Sequence, residues 1–254
     1  LKKLLAIAVV GIAGCVSQTT VETKLPDQAA PSDATYRARL QTELSSEYFR
    51  TGNMSAAISS AQQAISVMPS YAPAHSMLGL IYMELKEDAK AQQAFDAAMK
   101  YAPNDSEILN NYGWFICQRQ SPARSIDYFR QALKNPLYAT PERALFNSGV
   151  CSKKAGDMAS AEAQFRAAVQ RQPQFAPPLY ELAELQFAKG QVKEAEMNLA
   201  RHNQLVGTPS IDVLFLGARI ARVQGDKNTE ASYVQQMRRR FPDAPQTRLV
   251  TESR

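Results

Sequence analysis

Small and apolar side chains recur along this chain at intervals of three and four residues, and the whole pattern recurs every 34 residues. Apolar positions at that spacing share one face of an α-helix, whereas a half-buried strand alternates in twos, and no sustained alternating run of β-branched residues is present. Counted from Ala72, the unit carries Leu78-Gly79, Tyr82, Ala91, Phe95, Ala98 and Pro103 at positions 7, 8, 11, 20, 24, 27 and 32. One unit earlier, from Ala38, the same positions hold Leu44, Ser45, Tyr48, Ala57, Ala61, Ala64 and Pro69. From Ser106 they hold Tyr112, Gly113, Ile116, Ser125, Phe129 and Ala132. After two inserted residues the pattern resumes from Glu142 with Gly149, Ala161, Phe165, Ala168 and Pro173. It continues from Ala176 with Leu182-Ala183, Ala195 and Leu199, and from Ser210 with Leu216-Gly217. Each unit predicts two antiparallel helices, A and B, in which small residues at 8 and 20 permit close approach, an aromatic at 24 fills the gap and a proline at 32 ends helix B.

This signature resembles the tetratricopeptide repeat, and six copies span 38–243. One such repeat cannot bury its own apolar face, so stacking is obligatory, and the expected fold is all-α, a right-handed superhelical solenoid whose concave face is lined by the A helices. Composition agrees: 38 alanines and only 11 glycines in 254 residues favour helix, and 45% hydrophobic content excludes wholesale disorder. The nine glycines after the N-terminal segment all find repeat roles. Gly79, Gly113, Gly149 and Gly217 are helix contacts, Gly52, Gly156, Gly190 and Gly225 are A-to-B turns, and Gly207 is a helix end. None is left for a phosphate loop.

The first residues do not follow the repeat. Lys2 and Lys3 precede the uncharged stretch Leu4–Ala13, which as a helix would span about 15 Å, half of a roughly 30 Å hydrocarbon core. It reads as a signal peptide, 1–14, of an exported chain. Ile12-Ala13-Gly14-Cys15 resembles the bacterial lipobox, which implies that Cys15 becomes an acylated N-terminus; a plain signal peptide with a coincidental cysteine is the alternative. Val16-Ser17, without aspartate, resembles the sorting signal for the periplasmic face of the outer membrane. Residues 15–37 are expected to be a lipidated tether, with Val16–Thr35 spanning about 25 Å as coil, and 244–254 a C-terminal tail. Removing Lys2 and Lys3 lowers the net charge from +5 to +3, too little to imply nucleic acid.

Catalytic chemistry finds little support. His75 and His202, the only histidines, fall at packing positions, and there is no cluster with metal-ligand spacing, Walker loop or nucleophile elbow. No enzyme activity, small-molecule substrate or cofactor is expected beyond the covalent lipid on Cys15. Arg238-Arg239-Arg240 end a helix, where cations are favoured, or else meet anionic lipid or a partner. Cys117 and Cys151 lie on successive A helices with an axial offset of about 3 Å, so they can form a disulfide in an oxidising compartment; two buried free thiols is the other reading.

In such repeats positions 2, 5, 9 and 12 of helix A face the groove, which places Phe49, Leu80, Met83, Trp114, Phe146, Val150, Tyr180 and Phe187 there as candidate partner-binding residues. Packing between repeats is the alternative, equally weighted for Phe146 and Val150. The set that clamps a terminal carboxylate in chaperone-binding relatives is absent, since Thr42 and Ser46 hold positions 5 and 9 of the first repeat.

Lipobox, tether and six repeats, together with Asn110-Asn111-Tyr112-Gly113-Trp114-Phe115-Ile116-Cys117, Phe146-Asn147-Ser148-Gly149-Val150-Cys151 and Arg240-Phe241-Pro242-Asp243, resemble the type IV pilus biogenesis lipoproteins of the PilF/PilW family. Ala244 and Gln246 depart from the serine and glutamate of that ending. The resemblance implies a pilotin-like scaffold that helps the pilus secretin, its expected partner, reach or multimerise in the outer membrane. A general periplasmic adaptor for a protease or cell-wall enzyme is the second reading, and a hydrolase built on Cys117 a distant third.

Overall fold

The computed structural model describes residues 33–252, which form thirteen helices and, among the described residues, no strand. Six antiparallel pairs follow one another. They are α1 (Asp33–Arg50) with α2 (Met54–Val67), α3 (Ala72–Glu84) with α4 (Asp88–Tyr101), and α5 (Ser106–Arg119) with α6 (Pro122–Ala132). Then come α7 (Pro141–Lys154) with α8 (Met158–Arg171), α9 (Pro177–Ala188) with α10 (Val192–Val206), and α11 (Ile211–Gln224) with α12 (Lys227–Arg240). A last helix, α13 (Pro245–Glu252), closes the stack. Each B helix also packs on the A helix of the next pair, which produces the all-α repeat solenoid expected from the 34-residue period.

Local chemistry sets the boundaries. The side chains of Asn53, Asp105, Ser121, Asp157, Ser210 and Asp226 accept hydrogen bonds from free N–H groups at the starts of their helices. Proline occupies the first turns of α3, α6, α7 and α9, where its missing N–H costs nothing. Five of the six A-to-B turns use a left-handed residue: Gly52, Gly156, Gly190 and Gly225, and in the second repeat Lys86, with φ of 61°; the third turns through Gln120 at φ of -129° without one.

In four of the six pairs a glycine of helix A faces a ring from helix B; the first and fifth pairs have Ser45 and Ala183 there instead. A Cβ on Gly79 would stand 2.8 Å from Phe95, and one on Gly217 would stand 2.6 Å from Tyr233. Phe95, Phe129 and Phe165 are completely buried in these gaps, as are Ala57, Ala91, Ala161 and Ala195 at the small contact positions. Each buried ring contributes roughly 1.5–3 kcal/mol by removal from water.

Two expected boundaries are corrected. Helix α1 begins at Asp33, so 33–37 belong to the helix rather than to the tether, with Thr35 donating to Met68 at the end of α2 and Ala38 buried beside Ala64 and Ala74. The residues expected to be a tail form α13, which lays Val250 on Leu214 and Ala218 of α11 and so covers the face that a seventh repeat would have covered. Thr247 donates to the Phe241 carbonyl at 2.8 Å, and Gln246 to Asp212 at 2.9 Å. Among the described residues no helix is long and apolar enough to cross a membrane.

Candidate functional site

The A helices α1, α3, α5 and α7 present successive turns to the concave side, where they enclose a cavity of about 600 Å³. Phe49, Leu80, Met77 and Ile108 give it apolar walls, while Ser76 and Asn111 place polar groups in it. Charged groups of both signs, Glu43 and Glu107 with Arg50 and Arg143, surround these walls. A concavity of this size, apolar with a few oriented polar groups, suits side chains of an incoming protein segment.

Polar and covalent ties hold the walls in register. Asn147 donates to Asn110 at 3.0 Å, Asn110 to Asn111 at 3.3 Å, and Asn111 to Ser76 at 3.3 Å, a hydrogen-bonded chain running from α7 through α5 to α3. Cys117 and Cys151 form a disulfide between α5 and α7, with their Cα atoms 5.9 Å apart. The segment around the two-residue insertion also serves the site: Tyr138 and Thr140 each donate to Glu107 at 3.1 Å, anchoring the linker between the third and fourth repeats to the first turn of α5. Burial, reinforced by Glu107, pushes the Tyr138 phenol well above its usual range, so it remains a donor.

The eight side chains expected along the groove divide into two groups. Phe49 and Leu80 line the large cavity, and Phe187 lines a second one farther along. Met83 packs toward Phe95 and Phe115, Trp114 toward Phe129 and the disulfide, and Phe146 and Val150 toward Phe165. The Phe146 ring also meets Phe175 edge-on, with centroids 5.7 Å apart. Tyr180 is half-buried between the fifth and sixth repeats and donates to Glu184 at 3.0 Å; burial and that carboxylate raise its pKa. These five are only partly exposed, and their main contacts lie within and between repeats.

Lys153 joins the same region. Burial alone would lower its pKa, but hydrogen bonds to Glu181 and Glu184, each at 2.8 Å, outweigh burial and raise it. Sequence reasoning passed over Ser76 and Arg143 as groove residues, although both occupy groove-facing positions of helix A, because neither is aromatic. His75 meets the Pro69 carbonyl at 2.8 Å and the Tyr101 ring, and His202 is buried against Tyr180. Arg240 donates to the Pro209 carbonyl at 2.7 Å and lies over Phe241. Cys15 lies outside the described residues.

A right-handed stack of two-helix repeats around a walled concave groove defines a tetratricopeptide-repeat scaffold. Tetratricopeptide-repeat models match residues 48–110 and 153–202, and a second such model matches 89–140 and 118–176. The chain is 26% identical over 243 residues to the type IV pilus assembly protein PilF of Pseudomonas aeruginosa, covering 94% of this chain and 93% of that protein. The crystal structure of PilW, a widely conserved type IV pilus biogenesis factor, is similar at 35% identity and a TM-score of 0.75, covering 84% of this chain and 98% of PilW. The Pseudomonas aeruginosa PilF structure superposes with a TM-score of 0.79 at 23% identity, over 87% of this chain and 99% of the other, and supports the fold. The chain belongs to the PilF/PilW family of type IV pilus biogenesis proteins.

Proposed function

We propose that this protein is a lipoprotein of the outer membrane, facing the periplasm and held there by acyl chains on Cys15, and that it helps the pilus secretin localise or multimerise. The reading takes it to be a non-catalytic scaffold that binds a segment of the secretin or of another pilus-assembly protein. The observation that carries it is the cavity between α1, α3, α5 and α7, walled by Phe49 and Leu80, in a member of the PilF/PilW family. A tether between lipid and groove favours assembly by raising the effective concentration of a bound subunit at the membrane. The disulfide leaves Cys117 without the thiolate that a hydrolase would use.

Complementation of a deletion strain tests the reading. Phe49→Ala and Leu80→Ala change groove walls that are only half-buried, so circular dichroism should report folded protein. Truncation of a hot-spot side chain weakens binding by about 2 kcal/mol or more, so heat-resistant secretin multimers and surface pili are expected to fall severalfold. Folded variants that support wild-type multimer and pilus levels would exclude this groove as the docking site. In parallel, Cys15→Ser should leave the detergent phase on partition; unchanged partition would refute the lipid anchor.

A further inference from the structure

The second cavity, of about 360 Å³, lies where α7 and α9 turn toward their B helices and the middle of α11 faces them, away from the groove walls formed by α1 and α3. Its lining is apolar at Leu185, Leu216 and Phe187, and carries three cations, Lys153, Lys189 and Arg219, against one carboxylate, Glu184. Two of the cations are already committed. Lys153 bonds Glu181 and Glu184, and Lys189 pairs with Glu162. Arg219 is different: it is exposed, its guanidinium carbon lies 4.6 Å from the centroid of the Phe187 ring and 5.5 Å from that of Phe215, and among the described residues it forms no ion pair with a carboxylate.

A guanidinium lying over aromatic rings loses little of its hydrogen-bonding capacity, because its N–H groups remain free to meet an acceptor. We propose that Arg219 and this cavity form a second docking site, for an acidic side chain flanked by apolar residues in a segment of a partner protein. Charge complementarity selects the carboxylate, which would pair with the Arg219 fork, and the walls of Phe187, Leu185 and Leu216 accept the neighbouring apolar side chain. The cavity sits at the C-terminal ends of α7 and α9, where helices present carbonyls rather than free N–H groups. One fork without auxiliary N–H donors matches a single side-chain carboxylate in a passing segment better than a chain terminus. The proposal stands independently of which protein occupies the first groove.

Fluorescence anisotropy with the full chain in detergent tests it, using end-blocked, fluorescein-labelled nonapeptides in which a central Glu, Gln or Lys is flanked by Leu and Phe. The Glu peptide is expected to bind at least about tenfold more tightly than the Gln peptide, and the Lys peptide most weakly, as charge-assisted bonding requires. Arg219→Gln should abolish the preference for Glu. Arg238→Gln, an equal loss of charge at the end of α12, should keep it, and circular dichroism checks that both remain folded. Equal binding of Glu and Gln peptides, no binding of the Glu peptide at millimolar concentration, or a preference that survives Arg219→Gln or disappears in Arg238→Gln would each overturn the proposal.

Discussion

Gly149 has little room for a side chain. A Cβ there would stand 2.5 Å from Cε1 and 2.7 Å from Cδ1 of Phe165, a ring that is fully buried and backed by Phe146 with centroids 5.9 Å apart. Alanine would gain about 1 kcal/mol of helix propensity over glycine, yet overpacking a closed core costs about 1–3 kcal/mol. Gly149→Ala is therefore expected to lower the urea midpoint. Gly113→Ala, whose nearest contact would be 3.1 Å, should stay near neutral because the two effects roughly cancel. A midpoint raised by Gly149→Ala would show that Phe165 can move aside. These glycine–aromatic pairs are legible in the sequence because both members hold fixed positions of the period. The fate of Trp114 is not: its position places it on the groove side of α5, but Phe129 of its own repeat and Cys151 of the next one together offer it a packing surface. Arg219 was hidden for the same reason, since its two stacking rings belong to different repeats.

Between helices, the strongest constraint is the bond joining α5 to α7. It links residues 34 apart, and loop-closure entropy at that separation is worth about 3–4 kcal/mol. The double variant Cys117→Ala with Cys151→Ala is expected to unfold at correspondingly lower urea while retaining helical circular dichroism in water. A stability unchanged within about 0.5 kcal/mol would mean that the asparagine chain and the surrounding core already hold the helices in place. The proximity of the cysteines could be read from repeat positions, since adjacent A helices run side by side. Helix α13 could not. It is only 8 residues long, too short to be stable alone, and its buried Val250 becomes meaningful only against the apolar face of α11 that it covers.

Across the whole solenoid, ion pairs stitch one repeat to the next. Arg119 bonds Asp88 at 2.9 Å, and Glu162 of α8 receives both Lys189, just beyond α9, and Arg166. Hydrogen bonds from Lys189 and then Arg166 hold the Glu162 carboxyl below its ordinary value of 4.5. A carboxylate with a lowered folded pKa contributes stability that is complete above the ordinary value and is lost as pH falls through the folded one. Glu162→Gln should accordingly melt at lower temperature than the wild type near neutrality, and the two melting curves should converge in acid. A gap that persists in acid would assign the effect to packing instead of charge.

The α13 cover also bears on how such molecules meet one another. Solenoids can concatenate when the last repeat of one copy offers the first repeat of another the same apolar face that joins repeats within a chain, a head-to-tail contact that has no natural stopping point. Here that face, centred on Leu214 and Ala218, is occupied from within. Tyr36, Leu40 and Leu44 are exposed along α1, whereas the complementary face at the other end is covered by α13. Stacking of a second copy on this face would first require α13 to leave it.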